Sequence, residues 1–254
     1  MTILLTNDDG IQAYSIRQLR ETLSEVSDCI VVAPESQKSA SAHSISIVHD
    51  VEVRKYYLGD EFFGYQVNGT PADCVKLALC EIMKEPPGII VSGINVGPNT
   101  GISVYYSGTV SAAREGTIAG IPSIAVSMCS FEFNDFTFAN IFVKEIVKCI
   151  LKEGLPSGVT LNINIPPLPR EEIKGVKVTK QAHSRFVEKF VKKNNNNEVM
   201  LFSLRGEMEV VDDDSNNDEQ AVKEGYISLT PLRLDLTDVS AIKDIERIVY
   251  SVKV

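Results

Sequence analysis

Two adjacent carboxylates, Asp8 and Asp9, follow the apolar run Ile3-Leu4-Leu5 and precede Gly10. Like charges side by side repel, and a bound divalent cation relieves them; capping a following helix is the other use of the same aspartates. Two further oxygen donors stand at comparable places. Ser39 lies in the polar loop after residues 29–34, and Asn95 in the Gly/Asn-rich stretch after residues 88–92. Two carboxylates, a hydroxyl and an amide oxygen form the all-oxygen set that hard cations select, Mg²⁺ or Mn²⁺ before Zn²⁺. Such a cation neutralises a phosphoryl oxygen and acidifies a bound water. Ser107-Gly108-Thr109, at the start of a small-residue helix, adds hydroxyls, free N–H groups and a close backbone approach for an anion. Singly, Thr109 reads as an N-cap and the glycines as turns. Together, the cation loop and the anion loop imply metal-assisted hydrolysis of a phosphate ester.

The elements that must position these residues alternate strand and helix. The run 3–5 is a strand buried on both faces, and Ile11, Ile16, Leu19, Leu23 and Val26 mark the helix after it. Residues 29–34 form a second strand; 45–57 and 62–67 suggest a β-ribbon. Thr70 and Pro71 fit the cap and first position of a helix that closes before Pro86-Pro87. Strands at 88–92, 123–127 and 161–165 then alternate with helices at 110–116 and 137–152. The expected fold is α/β, a Rossmann-like doubly wound, mostly parallel sheet with helices on both faces, over residues 1–168. In such a sheet the loops holding Asp8, Ser39 and Asn95 leave one edge, where ligands bind. Past Pro169 the pattern becomes irregular and β-rich: strands at 176–179, 199–204 and 225–232, and a terminal helix at 237–248. The stretch 207–219 holds seven acidic residues in thirteen and reads as a solvated loop or edge rather than a second metal site. Residues 169–254 are therefore expected to form an irregular β-rich C-terminal region, its final strand and helix returning to the core or to a partner.

Composition narrows the function. The net charge of −9 and pI near 5.0 argue against a surface for duplex nucleic acid. No apolar stretch approaches the ~20 residues of a membrane span. Nothing at the start marks export, and the five cysteines are odd in number, lack a C-x-x-C pair and sit in apolar segments. These features give the expectation of a reduced, cytoplasmic protein with buried thiols.

The motifs, in order, are Leu5-Thr6-Asn7-Asp8-Asp9-Gly10, Val32-Ala33-Pro34 with Ser39, and Gly69-Thr70-Pro71-Ala72-Asp73. Ser92-Gly93-Ile94-Asn95-Val96-Gly97 with Asn99, Tyr106-Ser107-Gly108-Thr109-Val110, Asn162-Ile163-Asn164-Ile165-Pro166 and Tyr226-Ile227-Ser228-Leu229-Thr230-Pro231 follow. Over essentially its whole length the chain resembles the stationary-phase survival protein SurE family of metal-dependent nucleotidases. The resemblance implies one divalent cation per subunit on Asp8, Asp9, Ser39 and Asn95, and a phosphate site lined by Asn7, Asn99, Ser107, Gly108 and Thr109. It implies hydrolysis of nucleoside 5′- or 3′-monophosphates, with short polyphosphate as a further substrate of some members. A dimerising C-terminal region, with an arm exchanged between subunits, implies a homodimer or homotetramer. Glu35-Ser36-Gln37-Lys38 and Thr179-Lys180-Gln181-Ala182 depart from the family's pattern and bear on substrate preference and assembly.

For mechanism, Asp8 is the expected general base, with Asn95 helping to hold the attacking water. A nucleobase needs an apolar surface, for which Tyr105, Tyr106 and Phe186 are candidates. Receiver-type chemistry lacks its third aspartate here, and haloacid-dehalogenase chemistry needs Asp-x-Asp rather than adjacent acids. A non-catalytic nucleotide sensor with the same pocket is the alternative function.

Overall fold

The computed structural model describes residues 1–132, 135–195, 199–211, 214–250 and 252. The first strand, β1 (Ile3–Thr6), is fully buried. Because side chains alternate along a strand, Ile3 and Leu5 enter the core on one face and Leu4 on the other. On the first face lie α1 (Tyr14–Ser24), through Ile16, Leu19 and Leu23, and later α4. The strands β2 (Cys29–Pro34), β3 (Val53–Leu58) and β4 (Glu61–Val67) lead to α2 (Pro71–Leu77), which covers the second face with Cys74 and Val75. β5 (Ile89–Val96), α3 (Gly108–Ile118), β6 (Ser123–Met128), α4 (Thr137–Glu153) and β7 (Val159–Ile165) complete a sheet between two helical layers.

With β8 (Gly175–Val178) and a late strand, β11 (Tyr226–Arg233), the order is β3-β4-β2-β1-β5-β6-β7-β11-β8. Strands β4, β2, β1, β5, β6 and β7 run parallel; β3 is antiparallel to β4, and β11 to β7. The chain winds from β1 outward to β2 and later restarts beside β1 with β5. That reversal is the switch point at which open α/β sheets bind ligands. Between β8 and β11 (Tyr226–Arg233) come the long hairpin β9 (Ser184–Asn195) and β10 (Met200–Val210), which forms its own two-stranded sheet, and α5 (Asp218–Lys223). The main sheet thus runs across residue 168, since β8 and β11 both join it. The last described helix is α6 (Ile242–Tyr250), whose Ile242, Ile245, Ile248 and Val249 are exposed. No helix among the described residues is long and apolar enough to cross a membrane.

The doubly wound, mostly parallel architecture agrees with the expectation, and several local readings do not. α1 begins at Tyr14, with Ala13 before it and no side-chain cap, so neither Asp8 nor Asp9 caps it. The strand expected from residue 45 starts only at Val53. β5 continues to Val96, through the glycine and asparagine that read as a loop, with a register shift between Ser92 and Asn95. Residues 207–210 lie exposed in β10, as a solvated edge would, whereas Asp218, at 0 % exposure, opens α5. Lys192 and Lys193 lie in β9, while 196–197 and 212–213 fall outside the described residues. The cysteines are all free, but Cys80 and Cys149 are exposed rather than buried.

Candidate active site at the carboxyl edge of the sheet

The turn after β1 is built by its own polar residues. Asn7 is fully buried and closes it from both sides, its Nδ2 donating to the Gly10 carbonyl (2.9 Å) and its Oδ1 accepting from the Gly10 N–H (3.1 Å). Gly10 is at φ +97°, a conformation open to glycine, so the chain can turn sharply after Asp9. The two aspartates are thereby left at the strand end with their side chains uncommitted to a helix cap.

Asp8 is buried against the start of α3. Thr109 Oγ1 donates to Asp8 Oδ1 at 2.5 Å. A side chain on Gly108 would place its Cβ 2.8 Å from Asp8 Cβ, so glycine lets the helix start lie directly on the aspartate. Burial raises the Asp8 carboxyl above the usual carboxylate range, while the Thr109 hydroxyl and the Gly108 and Thr109 amides pull it back. Asp9 is pushed up to about 6, first by burial and then by the charge of Asp8. Gln37 Nε2 donates to its Oδ1 at 3.3 Å, but Asp9 Oδ2 is buried without a hydrogen bond. An orphaned anionic oxygen beside a second desolvated carboxylate is the environment a divalent cation satisfies. Among the described residues, no three His, Cys, Asp or Glu side chains cluster as a metal cage would. Any cation here must complete its shell with neutral oxygens.

Such oxygens are at hand. Asp8, Ser39 and Asn95 line one cleft of about 190 Å³, together with Asn99, Ser107, Tyr106 and Phe131. Asn95 Nδ2 donates to the Gly97 carbonyl (2.8 Å), a bond that fixes the amide and commits only its donor side. Ser39 sits on a loop tied to the β1 turn by Lys38 N–H donating to the Asp8 carbonyl (2.7 Å). Ser107 caps α3, its Oγ accepting from Val110 N–H at 3.0 Å. Of the phosphate candidates, Asn99 and Ser107 line the cleft; Gly108 and Thr109 lie behind Asp8, and Asn7 builds the turn.

Asn99 is held by residues to which the sequence assigned no role. Its Nδ2 donates to Ser127 Oγ (2.8 Å), its backbone N–H to Asn164 Oδ1 (2.9 Å), and its carbonyl accepts from Asn162 Nδ2 (2.8 Å). Asn162 and Asn164 are fully buried and two apart on β7, hence on one face. That spacing was the readable signal. The loop continues to Thr100 and Gly101, which the start of α5 holds: Thr100 Oγ1 donates to Glu219 (2.7 Å) and Gly101 N–H to Asp218 (3.1 Å). Of the aromatic candidates, Tyr106 lines the cleft, Tyr105 lines a different cavity and Phe186 lies on β9. Phe131, 78 % exposed and against Gly97, is the aromatic that the sequence did not single out.

With this geometry in hand, comparison with known proteins is specific. The family described as Survival protein SurE matches residues 3–188. A protein named 5′-nucleotidase SurE from Syntrophobacter fumaroxidans is 46% identical over 237 residues, 93% of this chain and 95% of that one. One of the same name from Pelotomaculum thermopropionicum is 41% identical over 256 residues, covering 100% of this chain and 97% of its own. The crystal structure of the SurE protein from Aquifex aeolicus superposes with a TM-score of 0.85 at 40% identity, over 98% of this chain and 99% of that one. A family match across most of the length, relatives covered nearly end to end and a shared fold lead to one assignment: the chain belongs to the survival protein SurE family.

Proposed function

We propose that the chain is a 5′-nucleotidase that hydrolyses nucleoside monophosphates with one divalent cation, Mg²⁺ or Mn²⁺, per subunit. The observation that carries this reading is a pair of adjacent desolvated carboxylates at the switch point, Asp9 with an orphaned oxygen and Asp8 lining one cleft with the neutral donors Ser39 and Asn95. The name 5′-nucleotidase carried by the curated relatives supports the reaction. Asp8, Asp9, Ser39 and Asn95 would hold the cation, which when bound supplies positive charge to the phosphoryl group. Ser107 and Asn99, with the free amides at the start of α3, take the phosphate oxygens. Gly108 and Thr109 contribute from behind by setting Asp8, and Asn7 by setting the turn. Asp8, oriented by Thr109, accepts the proton of the attacking water, and Asn95 helps to hold that water opposite the leaving ribose oxygen. Tyr106 and Phe131 offer the base a surface. The 3′-monophosphates and short polyphosphate share the phosphoryl chemistry and belong to the same proposal. The exposed apolar residues of the β9–β10 hairpin and α6 favour a homodimer or homotetramer, and the five free cysteines favour the cytoplasm.

The test is phosphate release from AMP and its relatives by the unmodified chain and Asp8→Ala, with Mg²⁺, with Mn²⁺ and with EDTA. Release that EDTA abolishes and the folded variant lacks is the expected result. Nucleotide binding without release in every condition would replace the enzyme by a sensor on the same fold.

A further inference from the structure

The loop that carries Ser39 is strained. Ala40 and Ala42 have φ of +54° and +50°, the left-handed region that alanine avoids because its Cβ crowds the following carbonyl. Ser41, between them, has a buried hydroxyl without a partner. Such a conformation persists only where surrounding contacts impose it. One residue further on, His43 Nε2 lies 2.9 Å from Glu115 Oε2. Glu115 is buried on α3, the helix that begins at the candidate phosphate site, and its other oxygen pairs with Lys76 of α2 at 2.6 Å. The far side of the loop is fixed separately, since Thr70 Oγ1 donates to the Ser44 carbonyl (2.7 Å) and Ser46 N–H to Asp73 (2.9 Å). On the near side, Ala42 N–H donates to the Tyr106 carbonyl at 3.0 Å.

We infer that His43 and Glu115 are positioning residues, a latch that holds the strained Ser39 loop on α3 so that Ser39 meets Asp8 and Asn95 at one cation. The inference rests on the cation reading of the site. Neither residue lines the cleft, so the latch acts through the loop. Lys76 pairs with the same carboxylate from α2 and makes no contact with the loop's 39–43 segment among the described hydrogen bonds and ion pairs, which makes it the natural comparison.

The experiment titrates Mn²⁺ into metal-free protein by calorimetry, without substrate, for the unmodified chain and for His43→Ala, His43→Gln, Glu115→Gln and Lys76→Met, with thermal melts beside each. Removing a group that orients a ligand weakens metal binding by about 10–100-fold, and about ten-fold is expected for His43→Ala. His43→Gln, whose amide can still donate to Glu115, should recover most of that loss, and Lys76→Met should stay within about two-fold of the unmodified chain. Unchanged Mn²⁺ affinity in both His43→Ala and Glu115→Gln would overturn the latch. So would equal weakening by His43→Ala and Lys76→Met, because general packing of the two helices would then explain both. An unmodified chain that binds no Mn²⁺ would overturn the cation reading and the latch together, a result distinct from either of the others.

Discussion

Gly108→Ala sets two physical effects against each other. Gly108 is the first residue of α3, and its φ is not in the left-handed region, so the backbone accepts alanine. Helix propensity alone favours the change by up to about 1 kcal/mol. The new Cβ, however, would stand 2.8 Å from Asp8 Cβ, 2.9 Å from Ser41 Oγ and 3.0 Å from Asp8 Oδ2. An unstrained carbon–carbon contact is about 3.5 Å, so Asp8 Cβ falls short by about 0.7 Å. Asp8 Cβ is one bond from the backbone of a turn held by Asn7, and it cannot rotate away. Overpacking of this kind costs about 1–3 kcal/mol, partly offset by propensity, so the melting temperature should fall only modestly. Activity should fall much further. A displacement approaching 1 Å at a reacting group lowers rates by about 10²-fold, equivalent to about 2.7 kcal/mol of transition-state stabilisation. The assay is kcat/KM for AMP with saturating Mn²⁺, beside a thermal melt and a circular dichroism spectrum. A folded variant retaining kcat/KM within about three-fold would refute the claim that the start of α3 sets Asp8.

Two further outcomes follow from the same structure. Asp218 is fully buried and pushed up to about 6, chiefly by burial, despite accepting N–H bonds from Gly101 and Ala182. Its folded pKa lies above the ordinary 3.8, so the folded state binds the proton more tightly and this group's contribution to stability is greatest below about pH 4. That contribution is lost as pH rises through 6, by at most about 3 kcal/mol. Urea unfolding of Asp218→Asn should lack the decline; parallel curves for the two proteins between pH 4 and 7 would refute it. Phe131→Ala should lower kcat/KM for AMP by about ten-fold or more, the worth of one stacked base, yet leave ribose 5-phosphate unaffected. An equal loss on both substrates would show that Phe131 does not meet the base.

The residues that read correctly were those whose roles are local or periodic. β2 was legible to the residue because a run of apolar positions stops at Pro34, and the cap of α2 was legible because Thr70 and Pro71 suit the cap and the first helical position; Asp73 completes a capping box there. Asp8, Ser39 and Asn95 could be gathered because a parallel sheet sends successive strand ends to one edge. What escaped depends on partners distant in sequence. Asn95 lies in a strand, not a loop, because β6 continues to pair with it after the register shift. Asp218 is buried because Gly101 and Ala182 donate to it, and nothing in an acidic run announces that. The hairpin's length was hidden because β9 is rich in lysine and asparagine, and pairing with β10 rather than burial sustains it. His43, four residues from Ser39, owes its contact to Glu115, 72 positions further along the chain.

The place of β11 in the sheet bears on synthesis. It is the last strand among the described residues, yet it lies inside the sheet, between β7 and β8. As the polypeptide leaves the ribosome, β8 has no strand to pair with in the main sheet until residues 179–225 and then β11 have followed. At about 5–20 residues per second that interval lasts seconds, during which β7 presents an open apolar edge. The hairpin emerges within this interval and pairs with itself, so it can form without waiting for the sheet. A nascent chain arrested before Tyr226 should therefore engage chaperones, and one released past Arg233 should not.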